Sequence, residues 1–284
     1  MKLGLSSYTY TWAIGVPRHP PERPLDGMGL LDKAAALNVT VVQIADNLPL
    51  DRVDPAELDR LAARAGTLGI AIEVGTRGIA PDHLRAYLRL AQRLASPILR
   101  VVIDTPSHRP SADEIVDTLR SFVPDLHEAG VTLAIENHDR FPAATFVRIV
   151  ERIDSDHVGV CLDTANSFGA LEGPAVVVET LAPWTVNLHV KDFDVVRVPH
   201  QMGFAIEGRP AGQGRLDVPW LLARLRAASR AAGHDPNAIL ELWTPPEETL
   251  AGTIAKEDAW AASSVAYLRP LVEASPSSMG AECC

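Results

Sequence analysis

The chain has 284 residues, 47% of them hydrophobic and 22% charged, with a formal net charge of -10. It is long enough for two ordinary domains, yet an α/β barrel of about 250 residues is also one domain. The acidic balance argues against a protein that holds a nucleic-acid backbone, which needs a basic stripe; a small anionic substrate stays admissible, since a few local cations decide that.

The first residues, MKLGLSSYTYTW, hold a short apolar run that reads as a strand over Lys2–Ser7 and not as a signal peptide. Four prolines between Val16 and Gly27 make the loop that follows long and stiff. Further strands are expected at Val39–Ile44, Ala71–Val74, Ile98–Ile103, Thr132–Glu136, Val158–Leu162, Val186–Val190 and Ala238–Leu242. Helical spacing of apolar residues marks Pro55–Leu68, His83–Leu94, Ala112–Ala129 and Val218–Ala232, with Gly69, Gly130 and Gly233 as stops. Phe193–Arg215, containing EGRPAGQGR, reads as a second long connection, the kind that forms a lid or a substrate wall.

Eight strand signals alternating with helical ones favour a single-domain (β/α)8 TIM barrel over residues 1–273, with 274–284 a frayed tail. A doubly wound sheet would carry a GxGxxG turn after its first strand, and SSYTYTW stands there instead. No apolar run approaches the ~20 residues that cross a bilayer. Cys161 lies in an expected strand, and the adjacent Cys283 and Cys284 make no disulfide framework, so a reducing, cytoplasmic setting is expected.

Glu136, Asp163, His189 and Glu241 each sit at or near the end of a different apolar strand in the second half of the chain. A parallel barrel gathers such positions at one mouth, where three carboxylates and an imidazole make an oxygen-rich site for a divalent ion. Singly, each has an ordinary reading: an ion pair for Glu136 or Glu241, a helix cap for Asp163, a core histidine for His189. Four coincidences at matching strand positions favour the metal.

The motifs IENH, LDTAN, HVKD, GQGRLD and ELW, in this order, resemble the xylose-isomerase-like barrel superfamily of sugar phosphate isomerases and epimerases, over nearly the whole chain. The resemblance implies that Glu136, Asp163, His189 and Glu241 hold one Mn2+ or Mg2+ ion, with Co2+ admissible. It also exposes a departure. Epimerases of this superfamily usually offer a histidine three residues after the aspartate, and Asn166 stands there; an amide binds a hydroxyl or carboxylate but shuttles no proton.

A cation chelating adjacent carbonyl and hydroxyl oxygens acidifies the neighbouring C–H, and Glu136 and Glu241 on separate strands could then act as base and acid. Isomerase or epimerase chemistry on a small sugar is therefore the first reading. The second is a lyase that decarboxylates a 3-oxo sugar acid, such as one derived from apiose, with Lys191 or Arg197 as the cation for the substrate carboxylate. A non-catalytic sugar-binding barrel is the third. Tyr8, Trp12, Gln43, Glu73, His138 and Asn166, with Lys191 and Arg197, are the expected substrate contacts. No nucleic acid or membrane partner is expected; a homodimer is compatible with the fold, and nothing in the sequence requires it.

Overall fold

Each strand alternates aliphatic residues on one face with small or polar residues on the other, and the aliphatic face decides how the sheet closes. The computed structural model describes residues 1–200, 202–233 and 235–273. Its strands are β1 (Leu3–Ser6), β2 (Val41–Ile44), β3 (Ala71–Arg77), β4 (Ile98–Val102), β5 (Thr132–Glu136), β6 (Val158–Asp163), β7 (Thr185–Val190), β8 (Asp192–Arg197), β9 (Phe204–Arg209) and β10 (Asn237–Leu240). All but β8 and β9 form a closed parallel barrel in the order β1-β10-β7-β6-β5-β4-β3-β2. Pairs such as Val42 and Ile44, Leu99 and Val101, and Leu133 and Ile135 belong to the main apolar core, shared with the helices outside. The interior side carries Gln43, Glu73, Arg100, Glu136, Asn187 and His189 instead, all buried. That is unusual for a barrel whose interior is ordinarily filled by branched aliphatic residues.

The helices are α1 (Thr11–Ile14), α2 (Gly27–Ala36), α3 (Pro55–Leu68), α4 (Pro81–Arg93), α5 (Ala112–Ala129), α6 (Ala143–Ile153), α7 (Pro174–Leu181), α8 (Val218–Ala232) and α9 (Leu250–Glu273). Their ends follow local chemistry. Asp54 caps α3 by accepting from the Ala56 amide, Pro55 fixes the first turn, and Gly69 ends the helix at φ 66°. Ser111 and Gly130 do the same for α5. The eight expected barrel strands are all present, and α3, α5 and α8 have their expected bounds. The residues 274–284 expected as a frayed tail, with Cys283 and Cys284, lie outside the described residues, as does His234. Among the described residues no helix is long and apolar enough to cross a membrane.

The long connection expected at Phe193–Arg215 is built around a hairpin: β8 and β9 pair antiparallel from Asp192↔Arg209 to Arg197↔Phe204. Asp192 ties its base down, its carboxylate accepting from the amides of Phe193, Gly212, Gly214 and Leu216 at 2.8–3.0 Å. This is what GQGRL is for: a Cβ on Gly214 would stand 2.2 Å from Asp192 Oδ1. At Gly208 a Cβ would meet Trp243 Cδ1 at 1.7 Å, so the hairpin lies flat against the residue after Leu242.

The first βα loop is held from the far end of the chain. Glu257 of α9, fully buried, accepts from the amides of Trp12 and Ala13 at 2.9 and 3.0 Å. Burial pushes its carboxyl from the ordinary 4.5 up to about 7, against the pull of those two amides. Between these values the folded chain keeps a proton that the unfolded chain has released. Stability from this group therefore falls as pH rises from 4.5 to 7, by up to about 3 kcal/mol. Glu257→Gln is expected to flatten that part of the Tm–pH profile; a variant with the wild-type slope would show that the group titrates elsewhere.

Candidate metal centre at the barrel mouth

Glu136 and Asp163 are the last residues of β5 and β6, His189 lies one residue before the end of β7, and Glu241 follows β10 directly. Parallel register places Asp163 beside His189. All four are buried. His189 Nδ1 lies 3.3 Å from Glu136 Oε2, 3.4 Å from Glu241 Oε1 and 3.6 Å from Asp163 Oδ2. Asp163 Oδ2, His189 Nδ1 and Glu241 Oε2 have no aligned hydrogen-bond partner among the described residues. Buried polar atoms are otherwise almost always satisfied, so orphans that converge on one point fit a cation. Three carboxylates and one imidazole suit a hard divalent ion. Cys161 shares the neighbourhood, but burial lifts its thiol to about 11, which keeps it protonated.

Lys191, the residue after β7, stands at the edge of the cluster with Nζ 2.8 Å from both Asp163 Oδ2 and Glu241 Oε2. Neither contact is aligned as a hydrogen bond, so the pairing is one of charge. Burial would raise the Asp163 carboxyl, but Lys191 and His189 outweigh it and hold it well below the usual range. Burial likewise opposes charge on His189, and the Glu241 and Glu136 carboxylates around the ring outweigh it and push its pKa well above the ordinary value. The carboxylate of the next residue, Asp192, faces the base of the hairpin instead.

Glu136 is held on both oxygens. Arg100 Nε bonds Oε2, and Asn166 Nδ2 donates to Oε1 at 2.7 Å. Arg100 also reaches Asp46 Oδ1 at 2.8 Å, while Arg77 Nε and the Tyr8 hydroxyl bond Asp46 Oδ2. Burial raises the Asp46 carboxyl, yet the two guanidinium groups bring it down to about 2. Sequence reasoning missed Arg100; its signal was a lone charge inside ILRVV.

Tyr8, Trp12 and Lys191 line a cavity of about 330 Å³ together with Thr11, Trp243 and Thr244. Trp243 Nε1 and Thr244 Oγ1 are buried without a hydrogen-bond partner among the described residues, and the sequence reading passed both over. His138 lines a small cavity together with Glu136, Asp104, Arg140 and Phe141, with its ring against Asp139. Arg197 is not brought to the cluster: it sits at the far end of β8, exposed and stacked on Phe204. Gln43 and Glu73, also expected as substrate contacts, lie among the barrel's interior side chains. Both point into the barrel interior, where Gln43 touches His189 Nε2 and Glu73 touches only amides.

Comparison with known proteins agrees with the barrel fold. A family described as xylose isomerase-like TIM barrel matches residues 31–271. A 3-oxo-isoapionate decarboxylase of Pectobacterium atrosepticum is 36% identical over 268 residues, covering 94% of this chain and 95% of the relative. A D-psicose 3-epimerase from Clostridium cellulolyticum H10, solved with D-tagatose, superposes with a TM-score of 0.70 at 17% identity, covering 96% of this chain and all of that one. A xylose isomerase-like TIM barrel protein from Mycobacterium smegmatis, solved in complex with magnesium, gives 0.63 at 14% identity over 94% and 97% of the two chains. At these identities the two solved structures speak for the fold.

Proposed function

The chain belongs to the xylose isomerase-like TIM barrel family, and from that premise we propose that it is a divalent-metal-dependent decarboxylase of a 3-oxo sugar acid. The observation that carries the reading is the clamp on Glu136. Proton removal and return by two carboxylates needs a free lone pair on each; the Glu136 oxygens accept from Arg100 and Asn166, and the lone pairs that remain are the ones that would hold the ion. Asn166 supplies no relay in its place. Decarboxylation needs no such base. The bond between the carboxyl carbon and C2 breaks, its electron pair moves toward the C3 oxygen, and CO2 leaves. C2 then takes one proton, giving a ketose one carbon shorter.

Glu136, Asp163, His189 and Glu241 would hold the ion, which when bound supplies a Lewis acid for negative charge on the substrate's oxygens. Lys191 reaches both the cluster and the cavity, so its ammonium is placed to receive the substrate carboxylate. Trp243 Nε1 and Thr244 Oγ1 offer unpaired polar atoms to sugar hydroxyls, and the rings of Tyr8 and Trp12 close the apolar side. The relative that is 36% identical, by its name a decarboxylase of 3-oxo-isoapionate, supports this substrate class.

The test is proton NMR in D2O with the Mg2+-loaded protein, on a panel of 3-oxo sugar acids and ketoses. The reading expects release of CO2 and a product one carbon shorter, with one deuterium at the former C2. A retained skeleton with deuterium and a new isomer would make the protein an isomerase or epimerase. Binding without turnover across the panel would favour a sugar-binding barrel.

A further inference from the structure

A hydrogen-bonded column runs through the barrel interior beneath the metal centre. At its lower end the backbone amide of Lys2 donates to Asn237 Oδ1 at 3.2 Å. Asn237 Nδ2 donates to Glu73 Oε1 at 2.7 Å. On the other side of Glu73, Gln43 Nε2 and Asn187 Nδ2 donate to Oε2 at 3.0 and 2.8 Å, and Gln43 Nε2 also reaches Asn187 Oδ1 at 3.0 Å. Gln43 Oε1 then faces His189 Nε2 at 2.7 Å.

The directions of these bonds are not free. A backbone N–H cannot turn around, so Asn237 must present its amide NH2 upward. Only a group that accepts on both sides can stand between that NH2 and the NH2 of Gln43, and a carboxylate is such a group. With Gln43 so oriented, its carbonyl faces the imidazole, and His189 Nε2 must carry the hydrogen. Nδ1, facing Glu136, Asp163 and Glu241, is the nitrogen left for a ligand.

We propose that the column Asn237–Glu73–Gln43 is a positioning device that fixes His189 as an Nδ1 metal ligand, with Glu73 as the residue that sets its polarity. This rests on the reading of His189 as a ligand. It gives the buried Glu73 a role, and it explains why the barrel interior is polar where aliphatic packing would be cheaper. Partners of metal-bound histidines ordinarily fix the ring in this way, and removing one costs about 10–100-fold in metal affinity.

Two measurements test it. In the wild-type protein with 15N-labelled histidine and 113Cd2+ bound, the cadmium coupling is expected at His189 Nδ1, with a proton retained on Nε2. Coupling at Nε2 would overturn the column while leaving a metal site; no coupling to any histidine nitrogen would remove the ligand reading as well. Separately, Glu73→Gln places an NH2 against a neighbouring NH2. It is expected to weaken Mn2+ binding, read by calorimetry, about 10–100-fold. The double exchange Gln43→Glu with Glu73→Gln puts an acceptor back opposite His189 and is expected to recover most of that loss. A folded Glu73→Gln protein with wild-type affinity, or a folded double variant as weak as the single one, would overturn the proposal. Should Glu73→Gln not fold, the cadmium measurement on the wild-type chain decides alone.

Discussion

Lys191→Met is expected to lower decarboxylation of a 3-oxo sugar acid by about 10²–10³-fold while the protein still binds its divalent ion. The loss follows from place: Lys191 is the cation that touches both the ligand cluster and the mouth cavity, and a buried charge facing a carboxylate is worth far more than a solvated one. Methionine keeps the length of the stem and removes only the charge. Mn2+ affinity should rise, since the ammonium that competes for Asp163 and Glu241 is gone. Calorimetry with Mn2+ and a CO2-release assay, run on the same preparation, separate the two effects. Wild-type turnover in a variant that binds metal would end the assignment of Lys191 to the substrate.

The second large effect is on stability. Arg100 is 2% exposed and joins Glu136 of β5 to Asp46 beyond β2. Arg100→Met strands carboxylates that cannot rejoin water, which typically costs about 3–5 kcal/mol. For a chain of this size Tm should drop by about 10 °C, measured by calorimetry at pH 7. The acid limb changes too. Asp46 is lowered from the ordinary 3.8 to about 2, so its contribution is present above 3.8 and lost as pH falls through 2. Without Arg100 the Asp46 carboxyl lies closer to its ordinary value, so less stability is lost over that range and this part of the acid limb should be shallower. An unchanged Tm would mean that the ion pairs contribute no net stability.

Most of the barrel was legible because its strands are short apolar runs that end in polar residues and its helices start and stop on Asp, Ser, Pro and Gly. The hairpin was not. Apart from the buried Asp192, Phe193 and Gly208, its strands DFDVVR and FAIEGR are exposed or half-buried, and they lack an Asn-Gly type turn, so they carry neither the buried-strand nor the tight-hairpin signal. The converging side chains were legible as strand-end positions. Gln43 and Glu73 could be recognised as needing partners, but periodicity gives only the face of the strand, not the depth along the barrel. That depth separates a substrate contact from a support for His189. Arg100 was hidden for the same reason: a charge in an apolar strand has no visible partner until β2 and β5 are placed beside it.

The contacts that close the mouth join the two ends of the chain. Ser6 Oγ donates to Glu241 Oε1, Thr9 Oγ1 to the Leu240 carbonyl, and Trp12 Nε1 to the Thr244 carbonyl, across separations of 231–235 residues. During synthesis, the amino-terminal strand therefore waits with an unpaired edge until β10 has left the ribosome. At about 5–20 residues per second that is an interval on the order of ten seconds or more. A nascent chain shorter than Glu241 lacks one of the four candidate ligands, so the ion would be acquired as a late event in biogenesis, after the barrel has closed.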